Sequence, residues 1–363
     1  MTTSMCQRPK ITLPVLDAPG NPEGITGPRD ISAVRMLRIS VTDLCNLRCV
    51  YCMPAEGMDF MEKHGRLSYD EIVLVARAAA ALGTTHLKLT GGEPTTRRDL
   101  PELVGMLREI AGIRDISLTT NGILLAGLLA PLRAAGLDRI TLSMDSLDPE
   151  RFSAITRGGS LQRVMAALEQ ACAMDFKRIK VNVVVMRGTN DDEIPAFVDL
   201  ARRLDITVRF IEYMPLGRSK LTDNPEAAMV SEAEIRAAIE GGNGPDALRL
   251  RPLSAASDGG VGPATLWEIP GSAGRIGFIS AMSKPFCATC NRLRLTADGL
   301  LRSCLFDGGE VDIGPILRPA DRTAQPDDAQ TLTALRNALT QCVALKPETH
   351  SYRGNKAMSR IGG

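Results

Sequence analysis

The chain has 363 residues, with 43 Lys and Arg against 42 Asp and Glu, for a formal net charge of +1. That balance gives no bulk attraction for nucleic acid or for an acidic membrane surface, so any anion site must be local. Apolar residues make up 44% and charged residues 23%, a soluble globular composition in which no stretch reaches the roughly 18 apolar residues of a membrane helix.

Residues 1–34 are rich in Pro and Gly, lack a basic-then-apolar signal pattern, and read as a flexible leader on a cytoplasmic protein. Six β-type runs follow, at 36–41, 86–90, 116–120, 139–144, 178–186 and 207–213, each trailed by a stretch with helical character. Ser68 with Glu71 is a capping-box signal for a helix that Gly83 stops. Asp99 is placed to start the next helix, and Asp191 or Asp192 the one over 195–204. Six βα units in series predict a parallel sheet with helices outside. Since eight units close a barrel, six predict a partial (β/α)6 barrel of the TIM type, open laterally. A doubly wound sheet would fit the same periodicity.

The character changes after residue 240. The run Gly241-Gly242-Asn243-Gly244-Pro245 marks a break, and 241–363 reads as a C-terminal extension to a barrel at 35–240. Short β-type pieces are expected near 249–253, 265–269 and 275–279. A polar loop is expected at 319–332, and a helix near 334–345.

Nine cysteines are present, an odd number that argues against a disulfide framework and for metal or redox chemistry. Cys6, Cys172 and Cys342 are scattered and read as ordinary thiols. Cys45, Cys49 and Cys52 sit together directly after the first strand, on the loop face where barrels place their chemistry. Thiolates are the usual ligands of iron–sulfur clusters, and three of them would leave one iron of a four-iron cube free to chelate a small molecule. A structural zinc needs four ligands, and His64 is the nearest candidate for the fourth. Gly91-Gly92-Glu93-Pro94 follows the second strand, where glycines let the backbone come close to a ligand.

Cys287, Cys290 and Cys304 form the second group. Asp298-Gly299 is a hairpin signal that folds 300–304 back along 292–297 and brings Cys304 to the Cys287/Cys290 pair. Arg292 and Arg294, two apart on a strand, share one face, while Leu293 and Leu295 share the other. Forked guanidinium donors beside a metal site suit an anionic, phosphate-bearing substrate. A zinc ribbon would need a fourth ligand here, and His350 would have to fold back to supply it.

The C-x₃-C-x₂-C loop after the first strand resembles the signature of the radical S-adenosylmethionine (SAM) superfamily. From about Arg35 to Gly363 the chain resembles the GTP 3′,8-cyclase (molybdenum cofactor biosynthesis protein A) family within it, through LRISVTDLCNLRCVYCMP, LTGGEPTTRRDL, LSMDSLDPERF, VNVVVMRGTNDDEI, RFIEYMPLG, FCATCNRLRLTADGLLRSCLF and the terminal Gly-Gly. The resemblance implies two [4Fe-4S] clusters, held by Cys45, Cys49 and Cys52 and by Cys287, Cys290 and Cys304. It implies SAM contacts at Tyr51, Gly92, Ser143 and Met214. It implies GTP contacts at Arg38, Lys88, Thr119, Lys180, Arg292 and Arg294, and catalytic roles for Arg209, Gly362 and Gly363. It further implies an external one-electron reductant, a downstream cyclic pyranopterin monophosphate synthase and a homodimer; the charge balance adds the expectation of no nucleic-acid or membrane partner.

The sequence departs from the family pattern at Leu44 and Lys88, where many relatives carry Arg, and at Thr95 and Thr96, where bulkier residues are common. Another radical SAM enzyme with an auxiliary cluster, such as a peptide maturase, is the nearest alternative. A non-enzymatic electron carrier and a zinc-stabilised nucleic-acid binder are more distant ones. The chain has no G-x₄-G-K-[ST] loop, so a nucleotide would be held by side chains.

Overall fold

A computed structural model describes residues 27–216, 224, 226–241, 248–254, 261–306, 309–319, 328–351 and 358–361. Six parallel strands run in chain order across the centre of one sheet: β1 (Met36–Ser40), β2 (His86–Thr90), β3 (Asp115–Thr120), β4 (Arg139–Ser143), β5 (Arg178–Val185) and β6 (Thr207–Glu212). They lie within a residue or so of the expected runs.

The later strands extend this sheet. These are β7 (Arg251–Leu253), β8 (Thr265–Glu268), β9 (Arg275–Ile279), β10 (Arg292–Leu295), β11 (Leu300–Arg302) and β12 (Glu310–Asp312). β9 pairs parallel with β6 and β10 pairs parallel with β1, so the C-terminal region adds one parallel strand to each side of the central six. The outer strands are antiparallel hairpin partners, and the twelve-stranded order runs from β12 to β7 without closing. The open partial barrel holds. The pairing of β9 and β10 across the two regions is long-range and had no local signal.

Strand alternation sets the chemistry of the two faces. Leu37, Ile39, Leu87, Leu89, Ile116, Leu118, Ile140, Leu142, Val181, Val208 and Phe210 are buried in the core with the helices. Their neighbours in sequence point the other way, and that inner face is polar.

The helices are α1 (Tyr69–Ala81), α2 (Leu100–Arg108), α3 (Leu129–Ala134), α4 (Pro149–Thr156), α5 (Leu161–Cys172), α6 (Ile194–Leu204), α7 (Glu232–Glu240), α8 (Gly314–Leu317), α9 (Asp328–Ala344) and α10 (Met358–Ile361). The capping box forms as read: Ser68 Oγ accepts from Glu71 N at 3.1 Å, and Glu71 Oε2 accepts from Ser68 N at 2.6 Å. Asp99 does precede α2, but it is left-handed at φ 56° and makes no side-chain cap. The helix starts instead on Pro101 in its first turn, which needs no N–H partner there. Asp191 and Asp192 lie in a 3-10 turn, and Glu193 takes the cap position of α6. α9 begins at Asp328, six residues before the expected start, because Leu335, Leu339 and Val343 continue an apolar stripe against the core.

Gly27–Arg29 and Ile31–Ala33 form 3-10 turns, and Val34 is buried, so this part of the expected leader is built into the fold. Among the described residues no helix is long and apolar enough to cross a membrane.

Candidate active site

The inner face of the sheet encloses a cavity of about 310 Å³, and every strand of the central six contributes to it. Where branched residues usually fill a barrel, only a few such as Val184 and Ile211 remain, and the lining includes Arg38 from β1, Lys88 from β2, Thr119 from β3, Thr141 and Ser143 from β4, Lys180 and Asn182 from β5, and Arg209 from β6. Arg292 and Arg294 join them from β10. Thus Arg38, Lys88, Thr119, Ser143, Lys180, Arg209, Arg292 and Arg294, singled out from sequence, are all brought to one space. Met214 lies beyond the end of β6 and lines the cavity from the following loop.

The first cysteine group sits at the carboxyl end of β1. Cys45, Cys49 and Cys52 all line the cavity and form no disulfide. The Gly-Gly-Glu-Pro loop holds their loop in place: Gly92 N donates to Thr42 O at 2.7 Å and Glu93 N to Leu44 O at 2.6 Å. A Cβ on Gly92 would stand 2.3 Å from Leu44 O, and one on Gly91 2.6 Å from Thr42 O. These glycines therefore permit backbone to approach backbone, and both also line the cavity in which a ligand was expected. Gly92→Ala is expected to cost about 1–3 kcal/mol through overpacking, seen as a lower denaturation midpoint. An unchanged midpoint would show that the cysteine loop moves freely.

Glu93 is buried, and its carboxylate accepts from Thr95 N at 3.0 Å, Thr120 Oγ1 at 2.7 Å and Asn121 N at 2.7 Å. Thr95 Oγ1 bonds the same carboxylate, and Thr96 Oγ1 donates to Glu93 O at 2.7 Å. The small hydroxyls at 95 and 96 are thus used to fix the loop.

Tyr51, half-buried against the cluster of Ile155, Met186 and Tyr213, donates its hydroxyl to Asp145 Oδ2 at 2.7 Å. Val184 N donates to the other oxygen at 2.8 Å. Burial pushes the Asp145 carboxyl up to about 6, against the pull of those two bonds. Burial likewise raises the Cys49 thiol well above its ordinary range, and Cys52, Asp145 and Cys45 add to the effect.

The second group forms as the hairpin predicts. β10 and β11 pair Arg294 with Arg302 and Leu295 with Leu301, and Gly299 takes φ +87° in the turn. Cys287, Cys290 and Cys304 reach the cavity, while Leu293 and Leu295 are buried on the opposite face. Arg292 lies 4.9 Å from the Phe286 ring and 3.8 Å from Cys290 Sγ. Lys346 Nζ donates to Cys290 O at 2.8 Å. Burial works to raise the Cys290 thiol, but Arg292 and Lys346 outweigh it and the net direction is down. Ion pairs near a thiol favour its thiolate form, the form that binds metal.

His64 is exposed and pairs with Glu62 at 2.9 Å, away from the cysteines. His350 does fold back: it stacks on Phe306 at 4.1 Å and its Nε2 meets Ala281 O at 2.8 Å. Among the described residues no three Cys, His, Asp or Glu side chains converge on the point a single ion would occupy. A cluster puts one iron under each thiolate, so its ligands need not share a point. Of the scattered cysteines, Cys342 is buried and its thiol is pushed up to about 12, Cys172 is half-buried, and Cys6 lies outside the described residues. Gly362 and Gly363 also lie outside them.

The Radical SAM superfamily profile matches residues 39–201, and the Molybdenum Cofactor Synthesis C profile matches residues 206–352. The GTP 3′,8-cyclase of Syntrophomonas wolfei is 45% identical over 336 residues, spanning 91% of this chain and 98% of that protein. The chain belongs to the GTP 3′,8-cyclase family. Other cyclases of that family align as fully, at 42% identity over 334 residues in Pelotomaculum thermopropionicum and 42% over 336 in Moorella thermoacetica. Streptococcus suis SuiB bound to S-adenosylmethionine shares the fold, with a TM-score of 0.55 at 14% identity over 85% of this chain and 70% of that one.

Membership of the cyclase family makes this a radical SAM enzyme, which uses SAM and a [4Fe-4S] cluster. The cysteine loop fits such a cluster by its donor set: three part-buried thiols line one cavity, and burial with Cys52, Asp145 and Cys45 raises the cost of ionising Cys49, a cost that bound iron offsets.

The sequence reading missed Asp145, Asn182 and Thr141. Each stands two residues from a residue it did find (Ser143 or Lys180), on the same inner face, so strict alternation would have named them. It also missed Lys346 and Glu212, whose roles depend on contacts distant in sequence.

Proposed function

We propose that this enzyme converts GTP to (8S)-3′,8-cyclo-7,8-dihydroguanosine 5′-triphosphate, the first step of molybdenum cofactor biosynthesis, with SAM at the Cys45/Cys49/Cys52 group and GTP at a second [4Fe-4S] cluster on Cys287, Cys290 and Cys304. One observation carries the reading: both cysteine groups open into a single cavity lined by Arg38, Lys88, Lys180, Arg209, Arg292 and Arg294. When bound, the first cluster supplies the electron that cleaves SAM to methionine and a 5′-deoxyadenosyl radical.

The chain's own residues supply placement and charge. Burial lowers the Arg38 guanidinium well below its ordinary range, with Arg294, Arg292 and Arg209 pressing on it. Lys88 is lowered in the same way by burial, Arg209, Arg38 and Lys180, and Arg294 falls to about 9 through burial and Arg292. So many like charges out of water ask for a polyanion, and a triphosphate meets that demand. Thr119 Oγ1 and Asn182 Oδ1 are buried in the lining with no hydrogen-bond partner among the described residues, so they are available to a nucleoside. Tyr51, set by Asp145, would form the SAM side with Gly92, Ser143 and Met214, which line the same cavity. Fixing both nucleosides in one enclosed space brings the 5′ carbon of one to the 3′ hydrogen of the other, where alignment governs the rate.

The departure at Lys88 keeps the charge and gives up the forked donor. Its Nζ instead lies 3.4 Å from Thr141 Oγ1. The external reductant, the downstream synthase and a homodimer complete the proposal as the family resemblance implies them, and the cytoplasmic location expected from the sequence goes with them. The test is an anaerobic assay with SAM, a one-electron reductant and GTP. 5′-Deoxyadenosine is expected to form in a GTP-dependent manner, with one cyclised nucleotide for each. SAM cleavage indifferent to GTP would favour the peptide-maturase class instead.

A further inference from the structure

We infer that Glu212 is a positioning residue that sets the second cysteine group against the barrel, an inference that rests on the function proposed above. The chain leaves the carboxyl end of β9 and re-enters the sheet at the amino end of β10. β9 flanks β6 and β10 flanks β1, so residues 280–291 bridge the two sides of the open barrel, carrying Cys287 and Cys290. A bridge of this kind has no strand partners to fix it. Its place is set by what grips it.

Glu212, the last residue of β6, is that grip. Its side chain is buried, 1% exposed for the whole residue, on the face opposite Arg209 and Ile211. Oε2 accepts from the consecutive amides of Met282 and Ser283, both at 2.8 Å. Oε1 accepts from Glu232 N, at the start of α7, at 3.0 Å and from the Ser283 hydroxyl. Glu232 then holds the same segment from the other side, through Ser280 Oγ and through Lys284 Nζ at 3.0 Å. Burying a carboxylate is costly unless donors surround it, and this one has four. An apolar residue would fill the volume but could not fix the direction of two successive amides. Four residues beyond Ser283 stands Cys287, and two residues beyond Glu212 stands Met214, so one carboxylate registers both sides of the cavity.

Glu212→Gln tests this. The amide keeps one acceptor oxygen and presents N–H groups to donors, so the segment loosens without a change of volume. In the anaerobically loaded enzyme, GTP-dependent 5′-deoxyadenosine is expected to persist, while cyclised nucleotide per 5′-deoxyadenosine falls about tenfold. Hydrogen exchange should accelerate in peptides covering 280–290 and stay unchanged in β2 to β4. Ser283→Ala removes one of the four donors, and a two- to threefold fall in the same ratio is expected. Glu212→Asp is expected to recover part of the loss. A wild-type ratio and wild-type exchange in Glu212→Gln would overturn the inference, as would a proportional fall of both products with uniformly faster exchange, which marks general destabilisation. If the unmodified enzyme makes no GTP-dependent 5′-deoxyadenosine, the proposed function itself fails, and the two failures are distinct.

Discussion

Cys304→Ala is expected to lower GTP cyclisation by about 10²-fold or more while leaving the first cysteine group intact. The argument starts from the hairpin. Cys304 follows β11, whose antiparallel pairing with β10 is set by Leu295 opposite Leu301 and Arg294 opposite Arg302. Those residues are buried, so removing one thiol at the end of the hairpin does not unfold it. Cys45, Cys49 and Cys52 belong to the loop after β1, held through backbone bonds between Thr42, Leu44 and the Gly-Gly-Glu-Pro loop, with no backbone bond to the hairpin's end among the described residues. The expected result is a fall from roughly eight irons per chain to roughly four, with SAM binding retained and GTP-dependent 5′-deoxyadenosine lost. Loss of all iron would mean that the two groups are not independent. Full iron with full activity would remove Cys304 from the site.

The barrel was legible because its signals are local. Period-two alternation in β1 to β6 and punctuation by Ser68 and Gly83 lie within a few residues of what they determine. The hairpin at Asp298-Gly299 was legible for the same reason. The attachment of β9 to β6 and of β10 to β1 was not, because parallel pairing between distant segments leaves no mark in either one. The site divides along the same line. Arg292 and Arg294 could be placed on one face from their spacing alone. That they face Arg38, Lys88 and Arg209 depends on the register that sets Arg38 between Arg294 and Lys88, which only the assembled sheet supplies. Glu212 shows the limit most clearly: nothing in Phe210-Ile211-Glu212-Tyr213 distinguishes its carboxylate from a solvated one, yet it is buried with partners some 70 residues away.

Lys88→Met is expected to move two measurements in opposite directions. In the nucleotide-free protein burial disfavours the charge of Lys88 first, and Arg209, Arg38 and Lys180 add to that more than Asp115 takes away. Methionine is close in volume and carries no charge. Replacing an unfavourably placed buried charge by a well-packed apolar side chain commonly stabilises a fold by about 1–4 kcal/mol, so the empty enzyme is expected to melt later. The bound state loses what the empty state gains. A charge-assisted bond to phosphate contributes about 1.5–3 kcal/mol, so GTP affinity is expected to fall roughly 10- to 100-fold. Arg302→Met supplies the contrast. That guanidinium is fully buried, but it is ion-paired with Glu310 of the neighbouring β12 and does not line the cavity. Its removal strands the partner and is expected to lower stability while leaving GTP affinity unchanged. Anaerobic melts with and without GTP, with calorimetric titration of GTP, read both effects. A Lys88→Met enzyme that is less stable when empty and binds GTP as the unmodified one does would mean that the cavity cations are held for the fold and not for the nucleotide.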